Sequence, residues 1–114
     1  MTDYRSSGKT TLTPEVLLTI ARMAALEVKG VRRMAPIKGG VNRLFGRGND
    51  GIRIVVEDGN AFVDLYLILE SDVNIRDVSR TVQQTVGRAI SEMTGMEVGH
   101  VNIHIEDIDY QTEA

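Results

Sequence analysis

Residues 52–57 read IRIVVE, residues 61–70 read AFVDLYLILE, and the sequence between them is Asp58-Gly59-Asn60. Apolar side chains alternate with others along both runs, which is typical of β-strands, and the three residues between them are typical of a tight turn. The stretch therefore predicts a β-hairpin. Because successive side chains of a strand point to opposite faces, it also predicts which side chains share a face.

The two faces of this hairpin differ in character. One face is apolar throughout and consists of Ile52, Ile54, Val56, Ala61, Val63, Leu65, Leu67 and Leu69. The other face mixes apolar and charged residues, and its apolar members are Val55, Phe62, Tyr66 and Ile68. This second row cannot join a core on the first face, because the strand period places it on the opposite side. We therefore expect Val55, Phe62, Tyr66 and Ile68 to form a self-association face.

Two amphipathic helices flank the hairpin region. Thr13-Pro14-Glu15 predicts a helix start, with a hydroxyl N-cap and proline at the first helical position, and Gly30 is expected to end this helix. Asn74 and Asp77 predict the start of a second helix that ends at Gly95. Gly87 lies in the middle of this second helix, which indicates a close approach to a neighbouring element.

The complete pattern predicts an α+β fold with the order β-α-β-β-β-α-β. Short strands are expected at residues 10–12, 31–37 and 100–106, in addition to the hairpin. Since the apolar stripes of both helices need one sheet face to cover, we expect a two-layer sandwich with both helices on one face of a mixed or mainly antiparallel sheet. Residues 9–109 are expected to form a single domain, with flexible ends at residues 1–8 and 110–114.

Composition narrows the class of protein. The chain has 114 residues, of which 42% are apolar and 25% charged, as in one ordinary globular domain, and it has no cysteine. This excludes disulfide scaffolds, thiol nucleophiles and cysteine metal sites. The apolar runs are far shorter than the roughly 20 residues of a membrane helix, so we expect a soluble cytoplasmic protein.

The chemistry-bearing residues do not indicate an enzyme. His100 and His104 lie four residues apart on a predicted strand, roughly 13 Å from each other, so they cannot bind one metal ion together. No serine lies in a Gly-x-Ser-x-Gly turn, and the paired carboxylates lie in a turn and near the chain end. We predict no catalytic residue, metal site or cofactor.

Charge is unevenly distributed along the chain. Residues 29–53 contain seven cations and one acid, whereas residues 97–114 contain five acids and no cation. Either these segments neutralise each other within the monomer, or the basic segment binds an anionic partner. Val41, Leu44 and Phe45 have helical spacing, and Arg43 and Arg47 lie beside them. This pattern predicts either a short apolar segment that docks on a partner or a membrane surface, or one that packs on the domain's own hairpin. The candidate partner-binding or membrane-proximal residues are Arg32, Arg33, Lys38, Arg43, Leu44, Phe45 and Arg47.

An alternative function is binding of RNA or regulation by a small α+β module that uses the basic loop 29–53. Phe62 and Tyr66 on one strand face would supply stacking platforms for bases. However, the same face carries Glu57, Asp64 and other carboxylates that repel phosphate groups, so nucleic acid is the less favoured partner.

Several short motifs follow one another along the chain, namely TPEVL at 13–17, AALEVKGV at 24–31, LFGR at 44–47, VQQTV at 82–86, MTGMEV at 93–98 and VNIHI at 101–105. In this order and spacing they resemble the alkaline shock protein family, also called the envelope stress response family. The resemblance covers roughly residues 8–109. It implies a non-enzymatic cytoplasmic bacterial scaffold or adaptor that self-associates into a homo-oligomer. It also implies peripheral association with the inner face of the cell membrane, through a small integral membrane protein partner.

Overall fold

The computed structural model describes residues 13–36 and 51–110 and shows two helices packed on one face of a four-stranded sheet. The helices are α1 (Pro14–Leu26) and α2 (Ile75–Thr94), and the strands are β1 (Val31–Met34), β2 (Ile52–Glu57), β3 (Asn60–Glu70) and β4 (Glu97–Asp109). The predicted α+β sandwich is confirmed. The strand expected at residues 10–12, the flexible end expected at 1–8 and all but Tyr110 of the flexible end expected at 110–114 lie outside the described residues.

Strand β3 is the centre of the sheet. β4 runs parallel to it along its whole length, from Asn60 to Glu70. β2 pairs antiparallel with residues 60–65 of β3, and β1 pairs antiparallel with residues 67–69. Since β4 occupies one edge of β3, β1 and β2 lie end to end along the other edge. The sheet is therefore mixed, and α2 forms the crossover between the parallel strands β3 and β4.

The main chain of Tyr66 joins the two halves of that shared edge. The amide of Ala35 donates a hydrogen bond to the carbonyl of Tyr66 at 2.8 Å, and the amide of Tyr66 donates to the carbonyl of Gly51 at 2.8 Å. The chain thus leaves the sheet after β1 and returns before β2 beside the same residue. Gly51 has φ 76°, and a Cβ there would lie 2.7 Å from Met34 Cβ, so the two halves fit together only with glycine.

The helix starts follow the predicted capping. Thr13 Oγ1 accepts a hydrogen bond from the amide of Val16 at 3.3 Å, and Asn74 Oδ1 accepts one from the amide of Asp77 at 3.0 Å. The expected end of α1 at Gly30 is wrong, because the helix ends at Leu26 and residues 27–30 form a turn. Gly30 has φ 105° in this turn, and a Cβ there would lie 2.8 Å from Val78 Cγ2 of α2.

The core lies between the helices and the apolar face of the hairpin. Five alternate residues of β3 are fully buried, namely Ala61, Val63, Leu65, Leu67 and Leu69. Helix α2 covers them with Val78, Val82, Val86 and Ile90, and α1 with Leu17, Ala21, Ala24 and Ala25. The expected close approach at Gly87 is wrong, because a Cβ there would meet only Val101 Cγ2 at 4.0 Å, an ordinary contact distance.

Candidate functional site

The sheet face opposite the helices, here called the open face, carries most of the predicted self-association residues. Val55 of β2 pairs directly with Phe62 of β3, and both belong to the row that alternates with the core row. Val55 is 48% exposed, and Phe62 and Tyr66 are half-buried. The structure thus places these three side chains on one face, and their role in self-association stays a prediction.

Phe62 packs against strand β4. Its ring lies 5.1 Å from the ring of His100, centroid to centroid, with the two planes tilted by 56°. The ring also lies over Gly99, where a Cβ would come within 2.7 Å of Phe62 Cδ1. The pairing of β3 with β4 is irregular at this point, which gives β4 one extra residue between its partners of Ala61 and Phe62.

Tyr66 contacts side chains from both neighbouring strands. His104 of β4 stacks on its ring at a centroid distance of 4.4 Å and an angle of 11° between the planes. The guanidinium carbon of Arg53, on β2 at the opposite edge of β3, lies 6.0 Å from the ring centroid. Tyr66 therefore lies between Arg53 and His104 and stays partly exposed.

Asp64 lies between the two aromatic residues of β3 and is held by β4. Its Oδ1 accepts hydrogen bonds from His104 Nε2 at 3.1 Å and from Asn102 Nδ2 at 3.2 Å. Since an ionised carboxylate can only accept, Nε2 of His104 carries a hydrogen. Burial alone raises the pKa of Asp64, but these hydrogen bonds and the nearby histidines lower it by more, so its pKa falls below the ordinary value.

Ile68 is not available on the open face, and its prediction as an exposed self-association residue is wrong. It is only 7% exposed, although it belongs to the same row as Phe62 and Tyr66. Its partner in β1 is Arg33, and its partner in β4 is Asp107. Charged residues on both neighbouring strands thus flank this position.

An ion pair crosses β3 next to Ile68. Arg32 Nε lies 2.8 Å from Asp109 Oδ2, and Arg33 lies 3.7 Å from the same oxygen. Since β1 and β4 lie on opposite edges of β3, these contacts span the central strand. They also favour one of the two interpretations of the charge pattern, because a carboxylate of the acidic segment contacts two cations of the basic segment within the monomer.

The remaining candidates for the partner-binding surface lie outside the described residues. These are Lys38, Arg43, Leu44, Phe45 and Arg47. In the described part of the chain, neither helix is long and apolar enough to cross a bilayer.

The contacts of the open face bear on the RNA-binding alternative and on metal binding. A base stacks on a free ring face, whereas the Tyr66 ring is stacked on His104 and the Phe62 ring lies against His100 and Gly99. His100 and His104 pair with Phe62 and Tyr66 in an unbroken register, which keeps them roughly 13 Å apart along the strand. Within residues 13–36 and 51–110, no three metal-ligating side chains come together.

Sequence reasoning missed the residues that organise this face. The contacts of His100, Asn102 and His104 with Phe62, Asp64 and Tyr66 do not follow from the sequence, because the parallel register of β4 on β3 cannot be read from either strand alone. Gly99 carried a usable signal, since glycine inside a strand often marks a bulge or a close approach. Asp109 had no such signal, because its partner Arg32 is 77 residues away in the sequence.

Comparison with solved structures identifies related folds. The MamM CTD superimposes with a TM-score of 0.53 at 14% identity and covers 83% of this chain and 99% of that domain. A nickel form of a MamM CTD variant gives a TM-score of 0.52 at 13% identity and covers 82% of this chain and 96% of that one. At these identities the likeness shows the fold alone.

Comparison of sequences identifies the family. YqhY of Bacillus subtilis strain 168, an uncharacterized protein, is 34% identical over 110 residues, which are 94% of this chain and 82% of YqhY. Spy1535 of Streptococcus pyogenes serotype M6, also uncharacterized, is 31% identical over 104 residues, which are 89% of this chain and 79% of that protein. Residues 2–110 match the alkaline shock protein 23 family, which is described as having a cell envelope-related function. As the motif resemblance predicts, the chain belongs to this family.

Proposed function

We propose that this protein is a non-enzymatic scaffold or adaptor of the cell envelope that self-associates through its open face. We further propose that a small integral membrane protein recruits it to the inner face of the cell membrane. The general statement in this proposal, that the function is related to the cell envelope, is the description of the family. Neither that description nor the names of the relatives indicate an enzymatic activity.

The observation that carries self-association is the state of the open face. Both described helices pack on the other face of the sheet, so Val55, Phe62 and Tyr66 remain partly exposed. Aromatic residues and arginine, here Arg53, are enriched in protein interfaces, because they bury large areas and still satisfy polar groups. The fixed contacts of Tyr66 and Asp64 also keep this surface in one arrangement, which lowers the entropy cost of binding.

Sedimentation tests this proposal. We compare the wild type with a Val55→Lys, Phe62→Lys double variant, which places two cations opposite each other at the centre of the face. Met23→Lys is the matched control, because Met23 is 60% exposed on α1, on the helical side of the molecule. We expect the double variant to sediment at lower mass and the control to match the wild type. Equal masses for the wild type and a folded double variant would refute self-association through this face.

The basic segment is the proposed surface for recruitment to the membrane. Arg32 and Arg33 contact Asp109, so the other candidate cations, Lys38, Arg43 and Arg47, carry this part of the proposal. Replacement of Arg43 and Arg47 by glutamate should reduce recovery of the protein in the membrane fraction of cells. Unchanged recovery would count against recruitment through this segment.

A further inference from the structure

The outer edge of β4 is a second, distinct surface. β4 is 13 residues long and pairs with β3 along one edge, and no strand within residues 13–36 and 51–110 pairs with its other edge. The carbonyl of Val101 accepts a hydrogen bond from the side chain of Gln83 at 2.9 Å, which is how a strand carbonyl is satisfied where a neighbouring strand is absent. A long unpaired edge offers a row of main-chain donors and acceptors to an added strand.

The side chains along this edge also favour the addition of a strand. Ile103, Ile105 and Ile108 belong to the row that faces the helices, yet they are only partly buried. Natural edge strands are usually protected by lysine, proline or an inward charge. Residues 98–105 of β4 contain no Lys, Arg, Asp, Glu or Pro. Among residues 13–36 and 51–110, the centre of this edge therefore has no partner strand, and it carries neither a charged residue nor a proline.

The same segment is complementary to itself. In an antiparallel pair of two β4 strands with the two-fold axis at Ile103, Ile103 faces its own copy and Val101 faces Ile105. This places apolar side chains together on the helix side, and Asn102 opposite His104 on the open-face side. The register irregularities of β4 at Gly99 and Glu106 bracket residues 100–105, so the pairing segment itself is regular. At the ends, Glu97 would face Asp109, which limits close pairing to this centre.

We infer that the outer edge of β4 pairs with β4 of a second copy of this chain to extend the sheet. This inference rests on the self-association in the proposed function but uses a different surface. A two-fold symmetric contact at either surface alone would give a dimer. Together, two such contacts, on an edge and on a face, link copies into a longer chain.

Disulfide trapping tests the edge contact directly, because the chain has no cysteine of its own. In the proposed register an Ile103→Cys variant brings its thiol opposite that of the second copy. The Cα atoms of directly opposed residues lie about 4.5–5.5 Å apart, within the range that a disulfide can bridge. Met23→Cys is the control for random collisions. We expect rapid oxidative dimerisation of Ile103→Cys only, also in the Val55→Lys, Phe62→Lys background.

Sedimentation separates the two surfaces. We expect the wild type to exceed a dimer, the Val55→Lys, Phe62→Lys variant to be a dimer, and its combination with Ile103→Lys to be a monomer. Trapping of Ile103→Cys no faster than Met23→Cys, or a monomeric open-face variant, would overturn the edge contact. If the wild type and the open-face variant are both dimers that Ile103→Lys dissociates, the edge contact stands and the open-face proposal fails.

Discussion

The ring of Phe62 on β3 lies over the backbone of Gly99 on β4, with no space between them for a side chain at residue 99. A Cβ there would come within 2.7 Å of Phe62 Cδ1. Because the ring rests on β4 at this point, glycine sets the position of the largest apolar group on the open face.

A Gly99→Ala substitution should therefore displace the Phe62 ring and destabilise the fold by about 1–3 kcal/mol, the usual cost of overpacking. Urea unfolding measures this free energy. In a Phe62→Leu background the smaller side chain leaves room, so the same substitution should cost less. An equal cost in both backgrounds would show that the ring contact is not the cause.

Gly87 gives the opposite expectation. A Cβ there would meet only Val101 Cγ2 at 4.0 Å, and alanine is the better helix former. Gly87→Ala should raise the free energy of unfolding by about 0.5–1 kcal/mol. Gly30→Ala is the contrasting variant, since φ is 105° and Val78 Cγ2 lies 2.8 Å from the added Cβ. It should lower the free energy of unfolding, and a gain at residue 30 would contradict the described turn.

Asp64 should make stability depend on acid pH. Burial alone raises the pKa of Asp64, but the hydrogen bonds from His104 and Asn102 lower it by a larger amount. The folded-state pKa therefore lies below the ordinary value of 3.8. A lowered pKa means that the ionised carboxylate stabilises the fold above the unfolded-state pKa and loses this effect as pH falls through the folded-state pKa. The stability difference between the wild type and Asp64→Asn should therefore shrink as pH falls below about 4. Urea unfolding at constant ionic strength checks this, and a pH-independent difference would contradict it.

Asp109 should limit the charge available for binding anionic surfaces. Its carboxylate lies 2.8 Å from Arg32 and 3.7 Å from Arg33, so Asp109→Asn should release two cations and increase retention on phosphatidylglycerol vesicles at low salt. Asp107→Asn is a matched control, because it changes net charge equally but its Oδ1 accepts from the amide of Ile108. Equal retention of the two variants would show that only net charge matters. Phosphatidylcholine vesicles should retain neither variant.

The alternation in residues 52–70 is sufficient to predict the hairpin, the buried row of β3 and the open-face position of Val55, Phe62 and Tyr66, although Val56 of the predicted apolar row is 45% exposed. A period of two fixes the face of every side chain once the strand is identified. The helix starts were equally predictable, because Thr13 and Asn74 act locally on amides three residues away. Features decided within a few residues of sequence were therefore accessible.

Features that depend on packing between distant segments could not be predicted from the sequence. Ile68 follows the same alternation as Tyr66, but its burial depends on side chains of β1 and β4 on either side of it. The sequence predicts the end of α1 at Gly30 because glycine often ends helices. In the structure, residue 30 is glycine for a different reason, since a Cβ there would lie too close to Val78 of α2. The reasons for Gly87 in α2 and Gly99 in β4 could not be predicted either. The sequence alone does not show that the Phe62 ring lies against Gly99, or that no described side chain lies as close to Gly87.

The bonds of Ala35 and Gly51 to the single residue Tyr66 make the departure and return points of the chain neighbours on one sheet edge. These two hydrogen bonds fix the register of β1 and β2 on β3. The register therefore does not depend on how many residues lie between Ala35 and Gly51. Substitutions or insertions between these two anchor points can therefore be made without altering the pairing of β1 and β2 with β3.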